Sequence, residues 1–216
     1  MKVMIYDSGL GLIPFLKSII KKQKFHDYYL YMDDDVFPLG NKDKDFIVSH
    51  LKFILNYANK NFDVIILACN TISSFLSYLD LSKYKIKIYS IFEYNTKHID
   101  DETTFLGTKG TLSNLKIKNK IDCSILPFLI EKNDMKNIVS FINDLSINTK
   151  KAILGCTHFK LIDFIFKDLH KNIEFVSYED ELIENLSPGV SLSIKGNEKA
   201  KRYLKEYLKL SNKILC

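Results

Sequence analysis

Residues 64–71 decide the fold: they read VIILACNT, four branched apolar residues followed by alanine, cysteine and two polar residues. Residues 151–158 repeat this layout as KAILGCTH, with an apolar run, a small residue, a cysteine and polar hydrogen-bonding residues. Short, uniformly apolar runs of this kind predict strands that are buried on both faces of a parallel sheet. The echo therefore predicts one such strand in each half of the chain.

Apolar runs alternate with amphipathic helical patterns on both sides of these two stretches. The first half predicts strands over 3–6, 28–32, 64–68 and 86–92 and helices over 13–20 and 46–57. The second half predicts strands over 103–106, 121–126, 152–154 and 173–176 and helices over 135–145 and 159–169. This rhythm is typical of parallel sheets covered by helices. Two sheets of about four strands each fit it better than one sheet of eight.

The chain is therefore expected to be an α/β protein with two small domains, each a mainly parallel sheet flanked by helices. A length of 216 residues is compatible with one large domain or two small ones. We expect a discontinuous first domain, residues 1–94 plus 175–216, and a second domain, residues 95–174. A C-terminal amphipathic helix is expected to pack against the first domain.

Composition and charge exclude several classes of protein. The hydrophobic fraction of 46% and the charged fraction of 26% are ordinary globular values. Residues 195–216 carry the whole formal excess of +5, at a helical spacing that indicates a solvated helix face, so nucleic-acid binding is only a minor alternative. No apolar run is long enough to span a bilayer, and Asp7 comes too early for a signal peptide. We therefore expect a cytoplasmic protein.

The four cysteines, Cys69, Cys123, Cys156 and Cys216, form no C-x-x-C pair. The spacing of zinc ribbons and thioredoxin-type redox sites is therefore missing, and each thiol is either a small buried hydrophobe or a reactive group. The acidic run 33–35 lacks the glycine and glutamate spacing of a calcium loop. We expect no metal site.

Cys69 and Cys156 each follow a predicted strand in the same local frame. A single cysteine after a strand is most often a core residue, but ligands bind outside the carboxyl ends of parallel strands, and two matched cysteines there indicate a site. If the two halves face each other, the thiols lie on opposite sides of a cleft. Opposed thiols suit a two-base racemase, which removes an α-proton from one face of a carbon and returns a proton to the other.

Five motifs carry a family resemblance over nearly the full length. They are Asp7-Ser8-Gly9-x-Gly11, Pro38-x-Gly40-Asn41-Lys42, Ala68-Cys69-Asn70-Thr71, Gly107-Thr108-x-Gly110-Thr111 and Gly155-Cys156-Thr157-His158. With them the sequence resembles the cofactor-independent aspartate/glutamate racemase family, most closely its glutamate racemase branch. The resemblance implies two α/β domains with the site in the cleft between them, no pyridoxal phosphate, no metal, and D-glutamate for peptidoglycan synthesis. It also makes a homodimer plausible.

The resemblance assigns roles to particular residues. Cys69 and Cys156 are the two acid/base thiols, with Asp7 beside the first and His158 and Glu131 beside the second. Cys123 matches a structural cysteine, and Cys216 has no assigned role. The resemblance places the following residues on the amino-acid substrate: Asp7, Ser8, Leu39, Gly40, Asn70, Thr71, Thr157 and His158.

Two departures from the family pattern leave alternatives open. Leu39 stands where glutamate racemases typically have tyrosine, and the second domain is shortened after Thr111. The alternatives are an aspartate racemase, whose substrate differs by one methylene, and a family member that has lost efficient turnover and acts as a binding protein.

Overall fold

The computed structural model describes residues 1–202, which form two parallel β-sheets flanked by helices. The first sheet has the order β4-β3-β1-β2-β9 and the second has the order β6-β5-β7-β8. The first sheet consists of β1 (Lys2–Asp7), β2 (Phe25–Met32), β3 (Val64–Leu67), β4 (Lys87–Ser90) and β9 (Val190–Gly196). The second consists of β5 (Thr103–Gly107), β6 (Lys120–Asp122), β7 (Lys151–Gly155) and β8 (Glu174–Val176). Every strand pairing within them is parallel.

Nine α-helices precede β9 in the described part of the chain. They are α1 (Leu12–Lys22), α2 (Lys44–Asn61), α3 (Asn70–Ser73), α4 (Ile91–Thr96), α5 (Lys109–Leu112), α6 (Leu126–Glu131), α7 (Met135–Asn143), α8 (Asp163–Leu169) and α9 (Glu179–Glu184). No helix among residues 1–202 is long and apolar enough to cross a membrane.

Each sheet reverses its strand order at one point, and these two points correspond. In the first sheet the chain moves from β1 outward to β2 and then returns to the other side of β1 as β3. In the second sheet it moves from β5 outward to β6 and then returns as β7. A crevice forms outside the carboxyl ends of the strands at such a switch point. The fold thus creates two equivalent crevices, one per sheet.

The uniformly buried strands lie where the sequence echo predicts them. All four residues of β3 are buried, and so are the last four residues of β7. The two faces of the first sheet pack against separate apolar clusters, one around Phe15 of α1 and one around Leu51 of α2. The prediction of two mainly parallel sheets flanked by helices is confirmed.

Several sequence-based element predictions need correction. The predicted strand 121–126 is only the short β6, and α6 begins at Leu126 with a proline in its first turn. Likewise, the predicted strand 86–92 ends at Ser90, where the hydroxyl accepts a hydrogen bond from the backbone N–H of Glu93 (3.2 Å) and caps α4. Apolar runs of four to six residues do not distinguish a strand from a buried helical turn, which explains both errors.

The first sheet has a fifth strand, β9, that the sequence analysis did not predict. Its sequence, VSLSIKG, alternates apolar and polar residues in the manner of an edge strand. The helical spacing of the charges in residues 195–216 predicts a helix that begins at Lys195, and this start is wrong because β9 continues to Gly196. Residues 198–202 are helical, and the remainder of that predicted helix, with Cys216, lies outside the described residues. The second sheet continues through β8 to Val176, two residues past the expected boundary at 174.

Candidate active site

The carboxyl ends of β1 and β3 bring the first group of site residues together. These strands are adjacent and in register, with Tyr6 opposite Leu67, so Asp7-Ser8 and Cys69 emerge at the same edge of the sheet. The hydroxyl of Ser8 lies 3.6 Å from the Cys69 sulfur, within hydrogen-bond range for a thiol. Asp7 and Cys69 are both buried. A thiol and a carboxylate therefore share the crevice of the first sheet.

The carboxyl end of β7 positions the second group. Cys156 follows the strand directly, and a 3-10 helix over Thr157–Ile162 turns His158 back toward it. The Nδ1 atom of His158 lies 3.9 Å from the Cys156 sulfur, and its Nε2 atom lies 2.8 Å from Oε1 of Glu131 on α6. The three side chains form a thiol–imidazole–carboxylate series in which the carboxylate orients the ring.

Two hydrogen bonds join the first group to the second. The Thr157 hydroxyl donates to Oδ2 of Asp7 (3.0 Å), and the backbone N–H of Leu10 donates to Oε1 of Glu131 (2.9 Å). Oδ1 of Asp7 accepts from the backbone N–H of Gly9 (2.9 Å), which fixes the carboxylate. Residues that follow β1 therefore contact residues from β7 and α6 directly. The carboxyl ends of the two sheets therefore meet at these contacts.

Glycines make this close approach possible. A Cβ atom on Gly9 would lie 2.6 Å from Oε1 of Glu131, and one on Gly11 would lie 2.0 Å from the Thr157 hydroxyl. Neither distance is sterically possible, so both positions require glycine in this arrangement. We call this contact between the two crevices, formed by residues 7–11, Glu131 and residues 157–158, the seam.

A cluster of threonine hydroxyls forms a further part of the site. The hydroxyl of Thr71 lies 2.9 Å from that of Thr108 and 3.2 Å from that of Thr111. Gly40 packs against this cluster, since a Cβ atom there would lie 2.6 Å from Thr108. Our site prediction omitted Thr108 and Thr111, although the Gly-Thr-x-Gly-Thr motif that contains them was a signal that could have identified them.

The remaining predicted substrate residues are dispersed around these groups. The side-chain carbonyl of Asn70 accepts a hydrogen bond from Asn95 (2.8 Å), a residue that the sequence analysis did not single out. Leu39 is 1% exposed and belongs to the apolar cluster that also contains Cys69. Its side chain is therefore part of the core of the first sheet.

Burial sets the protonation of the first group. Loss of solvent raises the pKa of Asp7 to about 6, although hydrogen bonds and the charge of His158 oppose the rise. Burial, assisted by the negative charge of Asp7, raises the pKa of the Cys69 thiol to about 12. At neutral pH, Cys69 is therefore a protonated thiol next to an ionised carboxylate.

In the second group, the neighbouring residues favour the charged form of His158. Burial alone would lower the pKa of His158, but hydrogen bonds to Cys156 and Glu131 and the charges of Cys156 and Asp7 outweigh it and raise the pKa to about 10. The ring is then an imidazolium at neutral pH, and both of its N–H groups donate, one to sulfur and one to carboxylate.

Other candidate groups do not join the site. Cys123 is buried in the apolar cluster of the second sheet, and burial raises its pKa far above the ordinary value. Asp33 pairs with His50 (2.9 Å), whereas Asp34 and Asp35 pair with Lys199. Within residues 1–202 no group of three metal-ligating side chains is positioned to hold an ion.

The fold and the site define a class of protein: an α/β enzyme with two parallel sheets and one buried cysteine at the switch point of each. No protein-family model matches the chain. A glutamate racemase of Helicobacter acinonychis is 31% identical over 191 residues, which cover 75% of this chain and 73% of the relative. One from Buchnera aphidicola is 28% identical and covers 98% of this chain and 92% of the relative. The chain belongs to the glutamate racemase family.

Solved structures agree with this fold. The crystal structure of glutamate racemase from Campylobacter jejuni matches with a TM-score of 0.80 at 22% identity. The match covers 97% of this chain and 99% of that one. The family resemblance inferred from the five motifs is thus confirmed.

Proposed function

We propose that the protein interconverts L- and D-glutamate by two-base proton transfer between Cys69 and Cys156, without a cofactor. The observation that carries this proposal is the equivalent placement of the two cysteines, each at the switch point of one of two facing sheets. Racemisation needs an acid and a base on opposite sides of the α-carbon, and facing crevices supply opposite sides. The names of the relatives support glutamate as the substrate.

The two cysteines exchange roles between the two directions of the reaction. For one enantiomer, the thiolate of Cys156 takes the α-proton of the substrate. The resulting carbanion receives a proton on its other face from the Cys69 thiol, which becomes the thiolate. After this turnover Cys156 is the thiol and Cys69 is the thiolate. Reaction of the opposite enantiomer, which reverses both transfers, or proton exchange with solvent restores the starting state.

Neutral hydrogen-bonding groups are well suited to hold the substrate. Hydroxyl and amide side chains can bind both carboxylates and an ammonium group without a dedicated cation. We assign this role to Ser8, Asn70, Thr71, Thr157 and the backbone of Gly40, with Asp7 and His158 alongside, and add Thr108 and Thr111. Leu39, in the same apolar cluster as Cys69, places an apolar side chain where a tyrosine is typical.

The proposal includes an organisation and a cellular role. Residues 1–94 and 177–202 form one domain, residues 95–176 form the other, and the substrate binds in the cleft between them. The product D-glutamate would serve peptidoglycan synthesis. The two catalytic thiols are free and must stay reduced, which suits the cytoplasm, and a homodimer is plausible.

Exchange of the α-proton in D2O tests the proposal. The protein is incubated separately with L- and D-glutamate and with both aspartates, and proton NMR follows loss of the α-proton signal. We expect exchange with glutamate that Cys69→Ser and Cys156→Ser abolish or make strongly one-sided. Cys123→Ser is the matched control, because it alters a buried thiol outside the site.

The outcomes separate the alternatives. Exchange with aspartate alone would identify an aspartate racemase with the same chemistry. No exchange with any of the four amino acids, from protein that circular dichroism shows to be folded, would overturn the racemase proposal and favour a binding protein.

A further inference from the structure

Phe37, in the segment between β2 and α2, is a large apolar residue that belongs to none of the apolar clusters of residues 1–202. Its neighbours Val36 and Leu39 are 8% and 1% exposed and are part of the core of the first sheet. Phe37 itself is half-buried. The core therefore anchors the chain on both sides of Phe37 without holding its ring.

The ring of Phe37 packs on the imidazole of His158, which follows β7 of the second sheet. The two ring centroids are 5.5 Å apart, and the ring planes are inclined by 36°. Both nitrogens of the imidazole are already engaged, Nδ1 with the Cys156 sulfur and Nε2 with Glu131. Phe37 therefore covers ring surface that these hydrogen bonds leave unused.

Gly9 approaches the same imidazole from another segment of the first sheet. A Cβ atom on Gly9 would lie 2.8 Å from Nε2 and 2.9 Å from Cε1 of His158. His158 is only 2% exposed. Its burial thus depends on residues of both sheets, because β7 carries the ring while the segments after β1 and β2 cover it.

The contact between His158 and Cys156 is the one most easily lost in the thiol–imidazole–carboxylate series. The distance from Nδ1 to the Cys156 sulfur is 3.9 Å, whereas that from Nε2 to Oε1 of Glu131 is 2.8 Å. A small rotation of the imidazole, or a water molecule that accepts from Nδ1–H, would replace the longer contact first. A ring packed against the imidazole opposes both changes.

We propose that Phe37 is a positioning residue that packs on the His158 ring, keeps Nδ1 directed at Cys156 and keeps water away from this contact. Its effect on turnover rests on the proposed racemase function, because it acts through proton transfer at Cys156. Its effect on the access of water to the ring does not depend on that function.

Exchange of the ring N–H protons with water tests the shielding. In protein labelled with 15N-histidine, NMR measures this rate for each imidazole, and His158→Gln identifies the signal of His158. We expect slow exchange in the wild type, and Phe37→Ala to raise the rate at least about tenfold by removing the cover. Phe37→Leu restores an apolar side chain and should exchange like the wild type. His98, whose side chain is 35% exposed, is the unshielded reference.

Steady-state kinetics with glutamate tests the positioning. Phe37→Ala should lower kcat by about 10- to 100-fold, since a misplacement of about 1 Å can cost about 100-fold. KM should change less than about threefold, because Phe37 acts on the proton transfer and not on substrate binding. Phe37→Leu should recover most of kcat. In a His158→Gln background Phe37→Ala should have no further effect, because no imidazole remains to be positioned.

Phe62→Ala is the matched control. Phe62 is also half-buried, but its ring packs on Tyr29 and Tyr57, away from the site. The substitution removes the same atoms as Phe37→Ala and should leave both the exchange at His158 and kcat unchanged. Circular dichroism must show that each variant is folded.

Two results would overturn the proposal. One is exchange at His158 that is as fast in the wild type as at His98, or that Phe37→Ala leaves unchanged. The other is a loss of kcat in Phe37→Ala that persists in full in the His158→Gln background. If Phe37→Ala exposes the ring but the wild type does not racemise glutamate, the shielding stands and the racemase proposal fails, so the two failures are distinguishable.

Discussion

Asp7 is the residue at which stability and function oppose each other. Its carboxylate accepts hydrogen bonds from Gly9 and Thr157, yet burial still raises its pKa from 3.8 to about 6. Asp7 therefore binds its proton more tightly in the folded protein than in the unfolded chain. Above pH 6 the buried charge costs stability, and below pH 3.8 the cost is absent because the group is protonated in both states.

Asp7→Asn should therefore stabilise the fold in a pH-dependent manner. At pH 8 we expect the variant to gain about 1 to 3 kcal/mol in the free energy of unfolding, because a neutral amide replaces a buried charge. Near pH 4 the gain should largely vanish. Urea denaturation at both pH values measures it, and an equal difference at the two would show that the charge of Asp7 is not the cause.

At the level of elements, the seam depends on the loop from β1 to α1. Gly9 and Gly11 in this loop contact Glu131 and Thr157, which belong to the other sheet's crevice. The loop therefore serves as a spacer whose thickness sets the distance between the two sheets. Small residues are needed here for packing between elements, not for a positive φ, since no glycine of the described chain has one.

Gly9→Ala should impair activity far more than stability. The added methyl group would lie 2.6 Å from Glu131 and 2.8 Å from His158, so the two crevices must separate by part of an ångström. A misplacement of about 1 Å can cost about 100-fold in rate. We expect a loss of that order in kcat/KM for glutamate, measured by circular dichroism of the amino acid.

The control for this variant is Gly196→Ala. Its Cβ atom would lie 3.0 Å from both the Ala200 side chain and the carbonyl oxygen of Leu30, on the edge strand β9, which contributes no residue to the seam. A comparable loss of kcat/KM in both variants would contradict a specific role for the seam. A Gly9→Ala variant whose loss of activity is fully explained by a loss of folded protein, as measured by circular dichroism, would also contradict it.

The sequence predicted elements well where burial was uniform and less well at short turns. The echo between residues 64–71 and 151–158 correctly placed β3 and β7, because a strand buried on both faces has to be apolar throughout. By contrast, α6 and β9 were missed. The apolar run of α6 is too short to show a helical period, and β9 pairs with β2, which lies far earlier in the chain. Contacts such as Thr157 to Asp7 join residues 150 apart, and no local pattern encodes them.

For the whole molecule, residues from both sheets together determine which groups of the site are ionised. Asp7 follows a strand of the first sheet and His158 one of the second, and each alters the pKa of the other through the seam. Asp7 is ionised above about pH 6 and His158 is protonated below about pH 10. The intact arrangement, with an ionised carboxylate accepting from Thr157 and an imidazolium donating to Cys156, exists only between these limits.

We therefore expect kcat/KM for glutamate to rise with pH through about 6 and to fall towards about 10. Glu131→Gln removes an acceptor that favours the imidazolium, so its alkaline limb should move to lower pH, whereas a limb due to the substrate's own ammonium group would stay in place. Asp7→Asn should lose the acid limb. A pH–rate profile of the wild type and both variants checks this, and an acid limb that persists at the same pH in Asp7→Asn would rule Asp7 out as its source.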